Sequence, residues 1–184
     1  MALIPAQAAV RSPGARWAAA GIAVAVVAAD QVTKSLVLAG RISGGTTWAS
    51  VRLARNTGSA GGIESAHPQL VSLVALAVTG VALALLLRAR RAAVAVALAL
   101  VVAGALGNLA DRLFRAPGLG RGAVVDWIHL GAGGGSMDIS DLAINAGAIA
   151  VVITLLATRD KTAVSRAGAS DGEPPGGAAR EPAG

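Results

Sequence analysis

Cysteine is absent from the 184 residues. Disulfides, thiolate metal sites and a cysteine nucleophile are therefore excluded. Tyrosine is absent too, and one Phe with three Trp bring the aromatics to only 2%, which argues against a large soluble core. Charged residues make up 14%, where roughly a quarter is usual for a soluble domain. Two isolated histidines, His67 and His129, offer no pair for a metal. What fills the chain instead is Ala, Val and Leu. Hydrophobic residues reach 54% and the mean hydropathy is +0.65, a composition suited to lipid-facing helices. The length fits one domain.

The formal net charge is +6. The basic residues flank apolar runs instead of forming an exposed stripe, so they point to a membrane and not to nucleic acid. A spanning helix needs about 20 mostly apolar residues, and four stretches qualify. The first runs from about Trp17 to Leu38 and is interrupted by Asp30, Gln31, Thr33 and Lys34. The second, Leu70 to Leu87, is uncharged. The third runs from Ala92 to about Ala110, and the fourth from about Asp141 to Ala157. A barrel would need alternating polarity, so helices are the assignment. A cleaved leader over the first run is disfavoured, because the polar cluster ending in Lys34 stands where small residues should mark the cut.

The expected organisation is a short cytoplasmic segment over residues 1–15, a four-helix membrane domain over 16–158 and a disordered, Gly/Pro/Ala/Ser-rich cytoplasmic tail over 159–184. Arg11, Arg16, Arg88, Arg90, Arg91, Arg159, Lys161 and Arg166 fall on one side of the four runs. That bias predicts cytoplasmic termini and two long loops outside. The first loop holds a strand-like stretch from Thr46 to Leu53 and then the turn-rich "RNTGSAGG". The second holds "GAGGG", read as a flexible tether.

Ionisable residues within spans are costly and usually mark a bundle interior or a wet site. Four sets sit at the outer ends of the runs. Asp30 and Lys34 are four apart and share a helix face; an internal ion pair or a snorkelling lysine also explains them. Asn108, Asp111 and Arg112 follow Gly104 and Gly107, as a site wall or as a packing seam closed by a salt bridge. Asp126, in "VVDWIHL", lies on what reads as a short amphipathic stretch on the membrane surface, and could be merely solvated. Asp138 and Asp141 open the fourth run, where acids also serve as helix caps. His129 reads as an interfacial residue without a chemical role. The depth the four sets share is what the separate explanations leave out.

No serine–histidine or serine–lysine motif stands out, so carboxylates remain for bond cleavage. Two close aspartates share a proton; one activates water while the other polarises a carbonyl and returns a proton to the leaving amine. Two other classes are open. A proton-coupled transporter or channel subunit requires acids at several depths, and a non-catalytic scaffold would use the polar groups as packing glue.

Five blocks in order, "DQVTK", "NTGSAGG", "GALGNLADR", "VVDW" and "MDISD", resemble the lipoprotein signal peptidases (signal peptidase II) over about Trp17 to Ala157. The resemblance implies an all-α integral membrane protein, with four transmembrane helices and a small extracytoplasmic β-rich platform. It implies an aspartic endopeptidase that removes signal peptides from diacylglyceryl-modified prolipoproteins, cutting just before the lipidated cysteine, in a bacterial cytoplasmic membrane. By motif match the catalytic pair is Asp126 and Asp141. The resemblance further implies that Asp30, Lys34, Asn56, Asn108, Asp111, Arg112 and Asp138 bind substrate or shape the site. No metal and no cofactor is implied, and the partners are prolipoproteins and membrane lipids. Two positions depart from the family pattern. The fifth block reads Met137-Asp138-Ile139-Ser140-Asp141 in place of Phe-Asn-x-Ala-Asp, and Gly61 stands where phenylalanine is common.

Overall fold

A computed structural model describes residues 13–58, 67–131 and 134–170; Gly61 and most of the second block's glycines lie outside that range. The elements in chain order are α1 (Pro13–Leu38), β1 (Ala49–Asn56), α2 (Pro68–Arg88), α3 (Ala92–Phe114), β2 (Val124–Leu130), β3 (Ser136–Met137) and α4 (Ile139–Ser170). The chain forms two compact units, residues 1–151 and 152–184. The first holds both sets of chemistry-bearing residues described below. The second is described only as the remainder of α4.

All four helices contain a stretch long and apolar enough to cross a membrane: Arg16–Leu38, Pro68–Arg88, Ala92–Phe114 and Ile139–Ala157. At 1.5 Å per residue a 21-residue span is about 31 Å long, the thickness of the hydrocarbon core. Pro68 opens α2, where its missing N–H and fixed φ are harmless. α4 continues to Ser170, past the boundary near Thr158 expected from sequence. The segment from Arg159 to Ala167 is rich in Ala, Arg and Lys and free of Gly and Pro, so nothing local breaks the helix there. Residues 171–184 of the expected tail lie outside the described residues.

α3 is the most buried helix and packs against both α1 and α2. The contacts use small side chains: Ala19, Ala95 and Ala99 cluster with Leu86 and Ala89. Leu73, Leu76, Val81 and Leu85 of α2 and Ile149 of α4 are exposed and form a lipid-facing surface. Water expulsion supplies little drive inside lipid, so close packing must hold the helices together. The seam between α3 and α4 depends on this. A Cβ at Gly104 would strike the Ser140 carbonyl, and one at Gly147 would lie 2.6 Å from the Ala97 carbonyl oxygen.

The loops outside the helices build a three-stranded antiparallel sheet in the order β1-β2-β3. Ala49 pairs with Leu130 and Asn56 with Val124, with an irregularity between Val51 and Ala54; Ile128 pairs with Met137. This corrects the surface-lying amphipathic segment expected over Val124–Leu130. Its Val-Val-x-Trp-Ile run is strongly β-prone, and pairing with β1 supplies the backbone partners an interfacial strand would lack. Val124, Val125 and Asp126 are consequently buried. The strand-like stretch foreseen in the first loop is present, shifted three residues toward Asn56.

Candidate active site

The polar residues of α1 and α3 meet at Lys34, which is fully buried. Its Nζ lies 2.8 Å from Asp30 Oδ2, 2.8 Å from Asp111 Oδ2 and 2.5 Å from Asp138 Oδ2; the last is an ion contact without hydrogen-bond geometry. The Asp30–Lys34 pair expected from their spacing is therefore real but is one arm of a larger knot. Gln31 Nε2 adds bonds to Asp30 Oδ2, the Gly107 carbonyl and Asp111 Oδ1. Asp111 also accepts from the Val125 N–H at 3.1 Å and from Arg115. That ties α3 to the strand carrying Asp126. Asp30 Oδ1 accepts the Ser140 N–H at 3.1 Å, tying α1 to the start of α4.

Asp111 and Arg112, adjacent in sequence, do not form the salt bridge that a closed packing seam would have. Successive helical residues diverge by about 100°, and the two side chains serve different ends. Asp111 turns to Lys34 and Arg115. Arg112 Nη2 donates to the Gly58 carbonyl at 2.8 Å, fixing the turn after β1. Arg112 and Asn108, one turn apart, both line a cleft of about 1080 Å³ that also holds Asp126 and Asp141. One wall of this cleft is apolar, from Leu70, Val71, Val74 and Val78 of α2 and Ile144 of α4.

β2 delivers Asp126 and the first turn of α4 delivers Asp141. Asn56 Nδ2 donates to Asp126 Oδ2 at 3.3 Å, and Asn108 Nδ2 donates to Asp141 Oδ1 at 2.9 Å. Asp138, just ahead of α4, accepts the Asp141 N–H on Oδ1 at 2.7 Å. It caps the helix and joins the Lys34 knot at once. Carboxylate oxygens of Asp126, Asp138 and Asp141 all lie within 4.8 Å of one another. Such a trio has the spacing to grip a cation, but the ammonium of Lys34 already supplies the positive charge on its inner side. Burial, reinforced by the charge of Asp141, pushes Asp126 up to about 6 against the opposing Asn56 bond. Burial pushes Asp138 up to about 7; Lys34 opposes the shift, while Asp141 and Asp30 add to it. Oδ1 of Asp126 is buried and makes no hydrogen bond, leaving it open to an incoming group.

Every site residue expected from sequence lies either in the Lys34 knot or on the cleft. His129 instead bonds Ser136 Oγ across β2 and β3. Sequence reasoning passed over Gln31 and Arg115. Arg115 was detectable, being four residues after Asp111 on the same helix face. It also passed over Ser140, whose buried Oγ has no hydrogen-bond partner, and Asn145, which lines the cleft.

Residues 22–157 match the family model for signal peptidase (SPase) II. The chain is 38% identical over 140 residues to the lipoprotein signal peptidase of Rhodococcus jostii, covering 73% of this chain and 70% of that one. It is 35% identical over 153 residues to that of Mycobacterium avium, covering 79% and 82%. A bacterial membrane enzyme solved by the in meso method at 2.3 Å superposes with a TM-score of 0.67 at 27% identity, covering 78% of this chain and 90% of that one. These findings leave no support for a transporter or channel. With its buried acids gathered beside one cleft, the chain belongs to the signal peptidase II family, aspartic peptidases that remove signal peptides from prolipoproteins.

Proposed function

We propose that Asp126 and Asp141 are the catalytic pair, and that the cut falls just before a cysteine carrying a diacylglyceryl group. One observation carries this reading. Two acids from different elements face one cleft, each held by its own asparagine amide. Asp126, raised to about 6, keeps the shared proton. Asp141, receiving the Asn108 N–H, is the ionised partner. Asp141 takes a proton from water as its oxygen attacks the scissile carbonyl, and Asp126 gives its proton to the carbonyl oxygen. In the second step the protonated Asp141 delivers its proton to the leaving nitrogen and the C–N bond breaks. One hydroxyl of the intermediate reprotonates Asp126, restoring the starting pair. Asp30, Lys34, Asp111 and Asp138 fix the frame. Asn56, Asn108 and Arg112 shape the cleft wall.

The basic residues support cytoplasmic termini and an extracytoplasmic site. A reporter fused after Ala157 should then read as cytoplasmic and tags near Gly45 as external; the reverse pattern overturns the orientation. The chemistry is tested with purified protein and a lipidated model prolipoprotein. Asp126→Asn and Asp141→Asn should each lower turnover by about 10²-fold or more while inserting normally. Near-wild-type turnover by either variant would refute the pair.

A further inference from the structure

Between Leu142 and Ile153 the apolar run of α4 has one polar side chain, Asn145. It falls four residues after Asp141. That places it on the same helix face, about 6 Å further along the axis and into the span. It is exposed and lines the cleft beside Ile144 and opposite Val74 and Val78. Its carboxamide has no hydrogen-bond partner among the described residues, unlike the amides of Asn56 and Asn108. Once an apolar segment fills the cleft, an amide left without partners there would be unfavourable by several kcal/mol. A short side chain cannot snorkel to the interface as lysine does. The cost is offset only when something polar enters the cleft at that depth.

The substrate brings such a group. A peptide bond inside a helix has its N–H and C=O engaged and shielded, so the segment being cut must unwind, leaving backbone amides bare against the apolar α2 wall. An extended strand advances about 3.3 Å per residue, so a point about 6 Å inward of Asp141 meets the chain roughly two residues from the scissile bond. The membrane-buried polypeptide is the signal-peptide side. We propose that Asn145 is a substrate-binding residue, whose carboxamide pairs with the backbone amide of the signal peptide about two residues before the cut. Its Oδ1 accepts that N–H. The inference rests on the assignment of Asp126 and Asp141 above. It explains how an unwound segment is tolerated within an apolar wall.

The test compares wild type with Asn145→Leu, of similar size and suited to a span, using three lipidated peptides of one sequence. The first has normal amides. The second replaces the amide two residues before the cut by an ester, which removes its N–H. The third keeps all amides but carries ether-linked chains in place of acyl esters. On the first, Asn145→Leu should lose about fivefold to tenfold in kcat/KM, carried by KM, as expected for one neutral hydrogen bond. On the second, wild type should fall by a similar factor and the two proteins should converge. On the third, the difference between them should persist. Equal activity of both proteins on the first peptide overturns the proposal. So does convergence on the ether-linked peptide, which would assign the contact to the lipid esters. Failure of wild type to cut the first peptide, or full activity of Asp141→Asn, would instead overturn the underlying assignment.

Discussion

Replacing Asp138 separates its two jobs, capping α4 and carrying charge. In Asp138→Asn the remaining oxygen can still accept the Asp141 N–H that Oδ1 now holds at 2.7 Å, so the cap survives. The charge is lost. Two unit charges about 5 Å apart interact by roughly 3 kcal/mol at an effective dielectric near 20, about two pKa units as a ceiling. The carboxylate trio lies within that range. Burial pushes Asp138 up to about 7, so at mildly acidic pH its charge is largely absent, and the amide differs chiefly in placing an NH2 where Oδ2 faces the Lys34 ammonium. Between about pH 6 and 7 the growing charge on Asp138 helps the pair keep its proton on Asp126. Lys34, Asp30 and Asp141 face the same carboxyl group, and none of them is removed by the substitution.

The expected outcome is a profile that changes on one side only. At mildly acidic pH, Asp138→Asn should stay within about threefold of wild type. On the alkaline side its activity should fall away about one pH unit earlier, because the pair loses its proton more readily. Asp138→Ala should lose about tenfold or more at every pH. It forfeits a cap worth about 1 kcal/mol and empties the buried space between the Asp141 N–H and the Lys34 ammonium that the carboxyl group, or an amide of the same size, fills. The assay is kcat/KM on a lipidated prolipoprotein across pH, with melting temperatures for both variants. An Asp138→Asn protein as inactive as Asp141→Asn at all pH values would place Asp138 in the chemistry and refute the assigned pair. An unmoved alkaline limb would refute the coupling.

Further outcomes follow from burial and packing. Because the folded state raises Asp126 to about 6, ionising it opposes folding: the penalty is absent below about pH 4 and grows as pH climbs through 6. Asp126→Asn should therefore melt higher than wild type at pH 8, by up to about 3 kcal/mol of stability, and equally at pH 4; a gap independent of pH would contradict this. Gly107→Ala puts a methyl against Ser140 Oγ and 2.9 Å from Asp30 Oδ2, so it should cost about 1–3 kcal/mol and lower activity. Ser140→Ala, which removes a buried hydroxyl lacking a partner, should be neutral or stabilising. The two changes are distinguished by melting in one detergent, and a stable Gly107→Ala protein would mean that the α3–α4 seam is looser than it looks.

The spans were legible because lipid demands long apolar runs, and that signal is local. The caps and i, i+4 pairs were legible for the same reason: Asp30 does pair with Lys34 and Asp138 does cap α4. What escaped was set by chain segments far apart. Nothing in "VVDWIHL" alone says that β1 will pair with it, and without that partner the same residues read as an amphipathic segment. The split between Asp111 and Arg112 escaped as well, since a shared motif hides that one side chain faces the lysine and its neighbour the cleft. Asn145 carried a usable signal, one amide in an apolar run at helical spacing from Asp141, but it lay outside the ordered blocks.

The arrangement also resolves why so apolar a protein tolerates five buried or half-buried acids at one place. Asp30, Asp111, Asp126, Asp138 and Asp141 face three cations, Lys34, Arg112 and Arg115. Fully ionised, the group would carry two excess negative charges beside a low-dielectric membrane edge, where unpaired charge is most costly. Two retained protons remove the excess, and the two acids that burial shifts most clearly upward outside the spans, Asp126 at about 6 and Asp138 at about 7, are suited to hold them. Neutrality of the cluster and a singly protonated Asp126–Asp141 pair are then one condition. The Lys34 knot thus does more than brace the helices. By balancing Asp30 and Asp111 internally, it leaves the pair near the cleft as the place where one proton is kept and moved.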